Sequence, residues 1–155
     1  MVKLVQQQQR QGWLATLAKA PLAQLEQGIA TLGALPEYQF LRSPEIGLAM
    51  VRGRAEGTGE PFNLGEMTLT RCVVQLSLSD DTTLTGFGYV AGRSQRHAEL
   101  AAVCDALLQH ADWCDRIWTQ IIEPLQESYQ TQQTQQAQQT ESTRVNFFTL
   151  LRGET

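Results

Sequence analysis

Two runs of alternating polarity face each other across a short polar turn, and they leave this chain few folds to choose from. In residues 67–78, Cys72, Val74, Leu76 and Leu78 share one side, while Leu69, Arg71, Val73, Gln75 and Ser77 share the other. Asp80, Asp81, Thr82 and Thr83 then reverse the chain. Residues 84–91 return with Phe87 and Tyr89 on one side and Gly86 and Gly88 on the other. A period of two marks a half-buried strand, so the pair predicts an antiparallel hairpin. Glycines at alternate strand positions mark a face where another backbone or a ligand comes close.

Helical spacing brackets this hairpin. After a polar, glutamine-rich start, Trp13, Leu14, Leu17 and Ala18 recur at helical intervals in residues 12–20. Pro21 suits the first turn of a second helix, whose stripe is Leu22, Leu25, Ile29 and Leu32, closed by Gly33 and Pro36. Downstream, Ser94 is placed to cap a helix striped by Leu100, Val103, Cys104, Leu107, Leu108 and Ala111. Asp112 is placed to cap another, carrying Trp113, Ile117, Trp118, Ile121 and Ile122, which Pro124 kinks or restarts. Between the two helical regions, Tyr38 and Phe40 alternate ahead of a Ser43-Pro44-Glu45 turn signal, and Ile46, Leu48 and Met50 alternate after it. That predicts a further hairpin. Residues 53–65 hold four glycines and a proline and read as a long loop. The expected fold is α+β, an antiparallel sheet of about four strands in two hairpins, packed with an N-terminal helical hairpin and C-terminal helices.

At 155 residues the chain can bury one substantial core. We expect a single α+β domain over residues 1–125, a glutamine-rich helix or linker over 126–141, and an apolar docking segment over 142–155. A net charge of -4 and a pI near 5.1 argue against nucleic-acid partners. No apolar run reaches the roughly 18 residues of a membrane span, so no membrane partner is expected. The three cysteines, Cys72, Cys104 and Cys114, lie apart in apolar runs. They read as reduced thiols, which points to a cytoplasmic protein.

Residues suited to chemistry are few. Gly57 and Gly59 form a GTG string that lacks the lysine and following helix of a phosphate loop. It is either a turn between strands or, with Arg52, Arg54 and Arg71, a surface receptive to anions. Arg71 suits an ion pair with Glu56, Glu60 or Glu66, or a clamp on a phosphate or carboxylate. Arg93, Arg96 and His97 are expected in the first turn of a helix, where acidic residues are preferred, so the basic pair suggests a functional role or an acidic partner. His97 tops the apolar stripe, as a structural histidine does. No spacing supports a metal site, and no catalytic constellation is visible. Phe147, Phe148, Leu150 and Arg152 belong to an apolar C-terminal stretch that suits an interface anchor.

Three strings, TGEPFNLGEMTLTRCVVQL, GFGYVAGRSQRHAELAAVCDALL and RVNFFTLLRGE, occur in this order, and together they resemble PhnG-type subunits of the carbon–phosphorus lyase core complex. The likeness covers residues 13–154. It departs at Asn146, where the family usually has aspartate. The resemblance implies a bacterial cytosolic subunit in phosphonate breakdown. With PhnH-, PhnI- and PhnL-type partners, such chains assist in joining a phosphonate to the ribose C1 of ATP, with release of adenine. A PhnJ-type subunit carrying an iron–sulfur cluster and using S-adenosylmethionine then cleaves the carbon–phosphorus bond. It further implies two copies per complex, ATP as co-substrate of the complex, and no cofactor bound by this chain alone. Two other roles stand beside assembly: residues contributed to a shared catalytic site, and a free-standing anion- or nucleotide-binding domain.

Overall fold

The structure is a computed structural model that describes residues 2–78 and 82–145, with side chains from residue 8 onward. Its elements run α1 (Val2–Lys19), α2 (Leu22–Thr31), β1 (Tyr38–Arg54), β2 (Pro61–Ser77), β3 (Thr83–Ala91), α3 (Gln95–Leu107), α4 (Ala111–Ile117) and α5 (Glu123–Ser142). The sheet is antiparallel, in the order β1-β2-β3. A widened π turn, Trp118–Ile122, joins α4 to α5 in one continuous helical run, and Pro124, just inside α5, leaves one helix bond unmade where the run widens.

Helix α3 is the centre of the core. Ten of its 13 residues are buried, so it has no solvent face, unlike an ordinary amphipathic surface helix. Ser94 caps it, its hydroxyl oxygen accepting from the His97 amide. One side of α3 lies on the glycine face of β3. A Cβ added at Gly86 or Gly88 would fall on the carbonyl oxygen of Ala102 or Ala98. The alternating glycines therefore mark a backbone-to-backbone approach. Cys72, Val74 and Leu76 of β2 are fully buried in the same core. Leu17, Leu25, Ile117, Ile121 and Ile122 complete it from α1, α2 and the C-terminal helices.

The sheet has three strands among the described residues, and the expectation of about four in two hairpins is corrected. Residues 38–54 form one strand of 17 residues that passes straight through Ser43-Pro44-Glu45. The turn signal is absorbed as two register shifts, between Phe40 and Arg42 and between Arg42 and Glu45. Proline is tolerable there because β1 is an edge strand, whose missing N–H breaks no ladder. The long loop at 53–65 is also corrected. Pairing with β2 continues out to Arg54 opposite Pro61, leaving only a tight tip. Glu56 and Gly57 both have positive φ, 52° and 78°, as in the mirror-image turns that match strand twist. Asp112 lies within the first turn of α4, and His110 holds the cap position instead. Helix α1 begins well before residue 12, since glutamine is a good helix former.

The thiols follow burial. Removal from water pushes Cys104 up to about 12 and Cys72 up to about 11, with the nearby charges of Asp105 and Glu99 adding to the respective shifts. Both values exceed the unfolded 9.0, so this contribution to stability is complete below pH 9 and is lost as pH rises towards 11–12. In the native protein at neutral pH, a thiol reagent is expected to label the half-buried Cys114 first. Cys72 and Cys104 should react only after denaturant is added, as mass spectrometry of the labelled peptides would show.

Candidate functional site

Strand β3 stops pairing at Ala91, opposite Leu69. Beyond that level β1 and β2 run on alone as a two-stranded ribbon, from Gly47 opposite Leu69 to Arg54 opposite Pro61. Ile46, Leu48 and Met50 alternate along β1 and so share one face, opposite Thr70, Thr68 and Glu66. It is the core face of the sheet prolonged past its covering helix: Thr70 is buried, whereas Ile46, Leu48 and Met50 are 48%, 66% and 52% exposed. Phe62, Leu64 and Met67 of β2 are exposed as well. Two-stranded ribbons are marginal in water by themselves, and exposed apolar patches of this kind mark contact surfaces.

The two sheet edges differ. On β3 the Phe87 amide donates to Asp105 Oδ2 at 2.9 Å, and the Thr85 carbonyl accepts from Gln109 Nε2 at 2.9 Å. That edge is closed by side chains. On β1, Pro44 and the two register shifts interrupt the proximal half, where Gln95 also donates to the Pro44 carbonyl. Over residues 46–51 the register with β2 is unbroken, and among the described residues no side chain bonds the outward backbone groups.

The arginines singled out from the sequence are dispersed by this geometry. Arg71 pairs with Glu45 at 2.5 Å on the outer sheet face, and not with Glu56, Glu60 or Glu66. Arg52 lies seven residues farther along β1 than Glu45, or ~23 Å at about 3.3 Å per residue. Arg93 precedes the Ser94 cap and so stands outside the helix, a correction to its expected place in the first turn. Arg96 bridges Glu99 at 3.1 Å and Glu26 at 3.8 Å, beside the Tyr38 hydroxyl that donates to Glu99. Burial raises the Tyr38 pKa, and the hydrogen bond to Glu99 adds to it. His97 is buried, with Nε2 2.8 Å from the Leu17 carbonyl oxygen. At the ribbon tip the amides of Thr58 and Gly59 both donate to the Ala55 carbonyl, at 3.2 and 2.9 Å, so neither is free for an anion. Arg52 and Arg93 are exposed and form no ion pair with the described residues. Phe147, Phe148, Leu150 and Arg152 lie outside the described residues.

No group of three metal-ligating side chains occurs among the described residues. The clefts are equally spare in basic charge. The one of about 880 Å³ between α1 and the end of α3 is lined by Arg10 and His110, the one of about 610 Å³ along α5 by no lysine or arginine, and a smaller one of about 200 Å³ between α1 and α5 by Lys19. A triphosphate is normally held by several cations and amides together. No described helix is long and apolar enough to cross a membrane.

Sequence comparison is consistent with a part of a larger assembly. Residues 8–153 match the family described as phosphonate metabolism protein PhnG. A relative from Rhizobium meliloti (strain 1021), named alpha-D-ribose 1-methylphosphonate 5-triphosphate synthase subunit PhnG, is 38% identical over 147 residues, which cover 94% of this chain and 90% of that protein.

Proposed function

This chain belongs to the PhnG family of phosphonate metabolism proteins, and from that premise we propose that it is an assembly subunit of a ribose 1-methylphosphonate 5-triphosphate synthase. In this reading the complex joins a phosphonate to the ribose C1 of ATP and releases adenine. PhnH-, PhnI- and PhnL-type subunits are its partners in that step, and a PhnJ-type subunit acts afterwards. The chain supplies surface and positioning, while substrate is held mainly by its neighbours. The observation that carries this is the apolar ribbon left in water at 46–51 and 61–67. The scarcity of basic side chains in the main clefts supports the same division of labour.

Co-expression of the tagged chain with those subunits tests the proposal. Recovery in one large complex is the expected outcome, and a clean monomer that ignores them would overturn it. Charge enters through Arg52 and Arg93, two exposed arginines that form no ion pair with the described residues, whereas Arg54 and Arg116 donate to the Gly59 and Leu32 carbonyls. The Arg52→Ala, Arg93→Ala double variant is expected to weaken assembly about tenfold at low salt and much less at high salt, with an unchanged melting temperature. Arg71→Ala removes only an exposed internal pair and should matter less. Equal binding by the double variant and the wild type, followed by surface plasmon resonance across a salt series, would exclude the arginines from the interface.

A further inference from the structure

We infer that the open edge of β1 over residues 46–51 receives an extended segment of a partner subunit as a fourth strand; this rests on the assembly reading above and names its mode. The ladder decides which groups are available. Gly92 donates to the Thr68 carbonyl, so the Thr68 backbone points toward β3. In an antiparallel ladder the direction alternates, which turns Leu69 toward β1 and makes Gly47 and Leu69 a hydrogen-bonded pair. Ile46, Leu48 and Met50 then direct both N–H and C=O away from β2, into the open edge. The same alternation predicts that the Phe87 amide points outward from β3, and there it meets Asp105.

Three further observations favour a strand over a general apolar contact. First, among the described residues, the β3 edge is closed by Asp105 and Gln109 and the proximal half of β1 is broken by Pro44, but 46–51 stays regular and unprotected. Natural edge strands are usually guarded by charge, proline or a bulge. Second, residues 46–51 are apolar on both faces, Ile46, Leu48 and Met50 on one and Gly47, Ala49 and Val51 on the other. That is the composition of an interior strand. Third, the edge from Ile46 to Arg54 carries two arginines and no carboxylate. An acidic, alternately apolar segment of another subunit complements that charge. Main-chain bonds would give that segment affinity, and the exposed Ile46–Leu48–Met50 face would select its side chains.

Leu48→Pro tests the edge directly. It removes one outward N–H and no bond of the β1–β2 ladder, so the isolated chain should keep its circular dichroism and melting temperature. Recovery of the complex on co-expression is expected to fall at least about tenfold, with Leu48→Ala reducing it only a few-fold. Hydrogen exchange provides a readout that needs no variant. In the free chain the Ile46, Leu48 and Met50 amides should exchange fast and those of Gly47, Ala49 and Val51 slowly; in the complex all six should be protected. Normal assembly of Leu48→Pro, or exchange at Ile46, Leu48 and Met50 that stays fast in the complex, would overturn the proposal. So would a Leu48→Ala loss as large as that of Leu48→Pro, which would mean docking by side chains alone. An isolated chain that dimerises and is made monomeric by Leu48→Pro would assign the edge to a second copy and overturn the partner strand. A wild-type chain that binds no partner overturns the assembly reading itself, and that result is read without any variant.

Discussion

Gly88→Ala is expected to be among the most damaging single-methyl additions to this protein, with Gly86→Ala close behind. At both positions the added Cβ meets a carbonyl oxygen of α3, that of Ala98 or of Ala102, and not the movable end of a side chain. Overpacking usually costs about 1–3 kcal/mol, because neighbouring side chains shift. Here relief requires moving a helix that is buried on nearly every side, so a loss of about 4 kcal/mol or more is expected. Against a total stability of about 5–15 kcal/mol, that is enough to make the protein aggregate or fail to accumulate. Gly47→Ala is the matched control. It adds the same methyl to another strand glycine, with nothing within 4 Å, and should be close to neutral. Thermal melts of the three variants decide the matter. At about 2–4 °C per kcal/mol, Gly88→Ala should lose roughly 8–16 °C and Gly47→Ala almost nothing. Similar melts for Gly88→Ala and Gly47→Ala would mean that α3 does not rest on β3 in this way.

These glycines also show how far a sequence can be read by itself. Their alternation with Phe87 and Tyr89 was visible as a strand face under close approach, and the Ser94 cap and the α3 stripe were visible with it. Such signals are local, written within one or two turns of chain. The single 17-residue β1 was not legible, because Ser43-Pro44-Glu45 is a turn in most contexts and becomes a strand only where an edge tolerates a proline. Residues 53–65 misled for a related reason. The same glycines that break a helix here serve a tip and a bulge in a continuous ribbon. Arg52, Arg54 and Arg71 read as one anion-receptive surface because they lie close in sequence. Extended strands separate them, and Glu45, whose partnership with Arg71 spans 26 positions, neutralises one of them. The exposed run at 46–51 was visible as a strand, but only the end of pairing at Ala91 shows that nothing in the described chain covers it.

The least legible feature is also among the most consequential. Asp105 is fully buried, and four donors converge on its carboxylate. Arg10 reaches it through Nε at 3.1 Å and Nη2 at 2.7 Å, Trp13 Nε1 donates at 2.8 Å, and the Phe87 amide at 2.9 Å. One side chain thereby locks the N-terminal helix, the central helix and the β3 edge together, across 95 residues of sequence. Asp105→Ala is expected to lose about 3–5 kcal/mol, because it strands the Trp13 and Phe87 N–H groups in a dry site and opens a cavity. Arg10→Ala should lose less, roughly 2–3 kcal/mol, since two of the donors remain on the carboxylate. The sign of the coupling is the sharper test. Once Asp105 is gone, the partly exposed Arg10 can turn to water, so the double variant should be no less stable than Asp105→Ala alone. Urea unfolding followed by tryptophan fluorescence gives all three values. If the two single losses simply add in the double variant, Arg10 and Asp105 act independently, and the lock between α1, α3 and the β3 edge is not what holds this part of the fold.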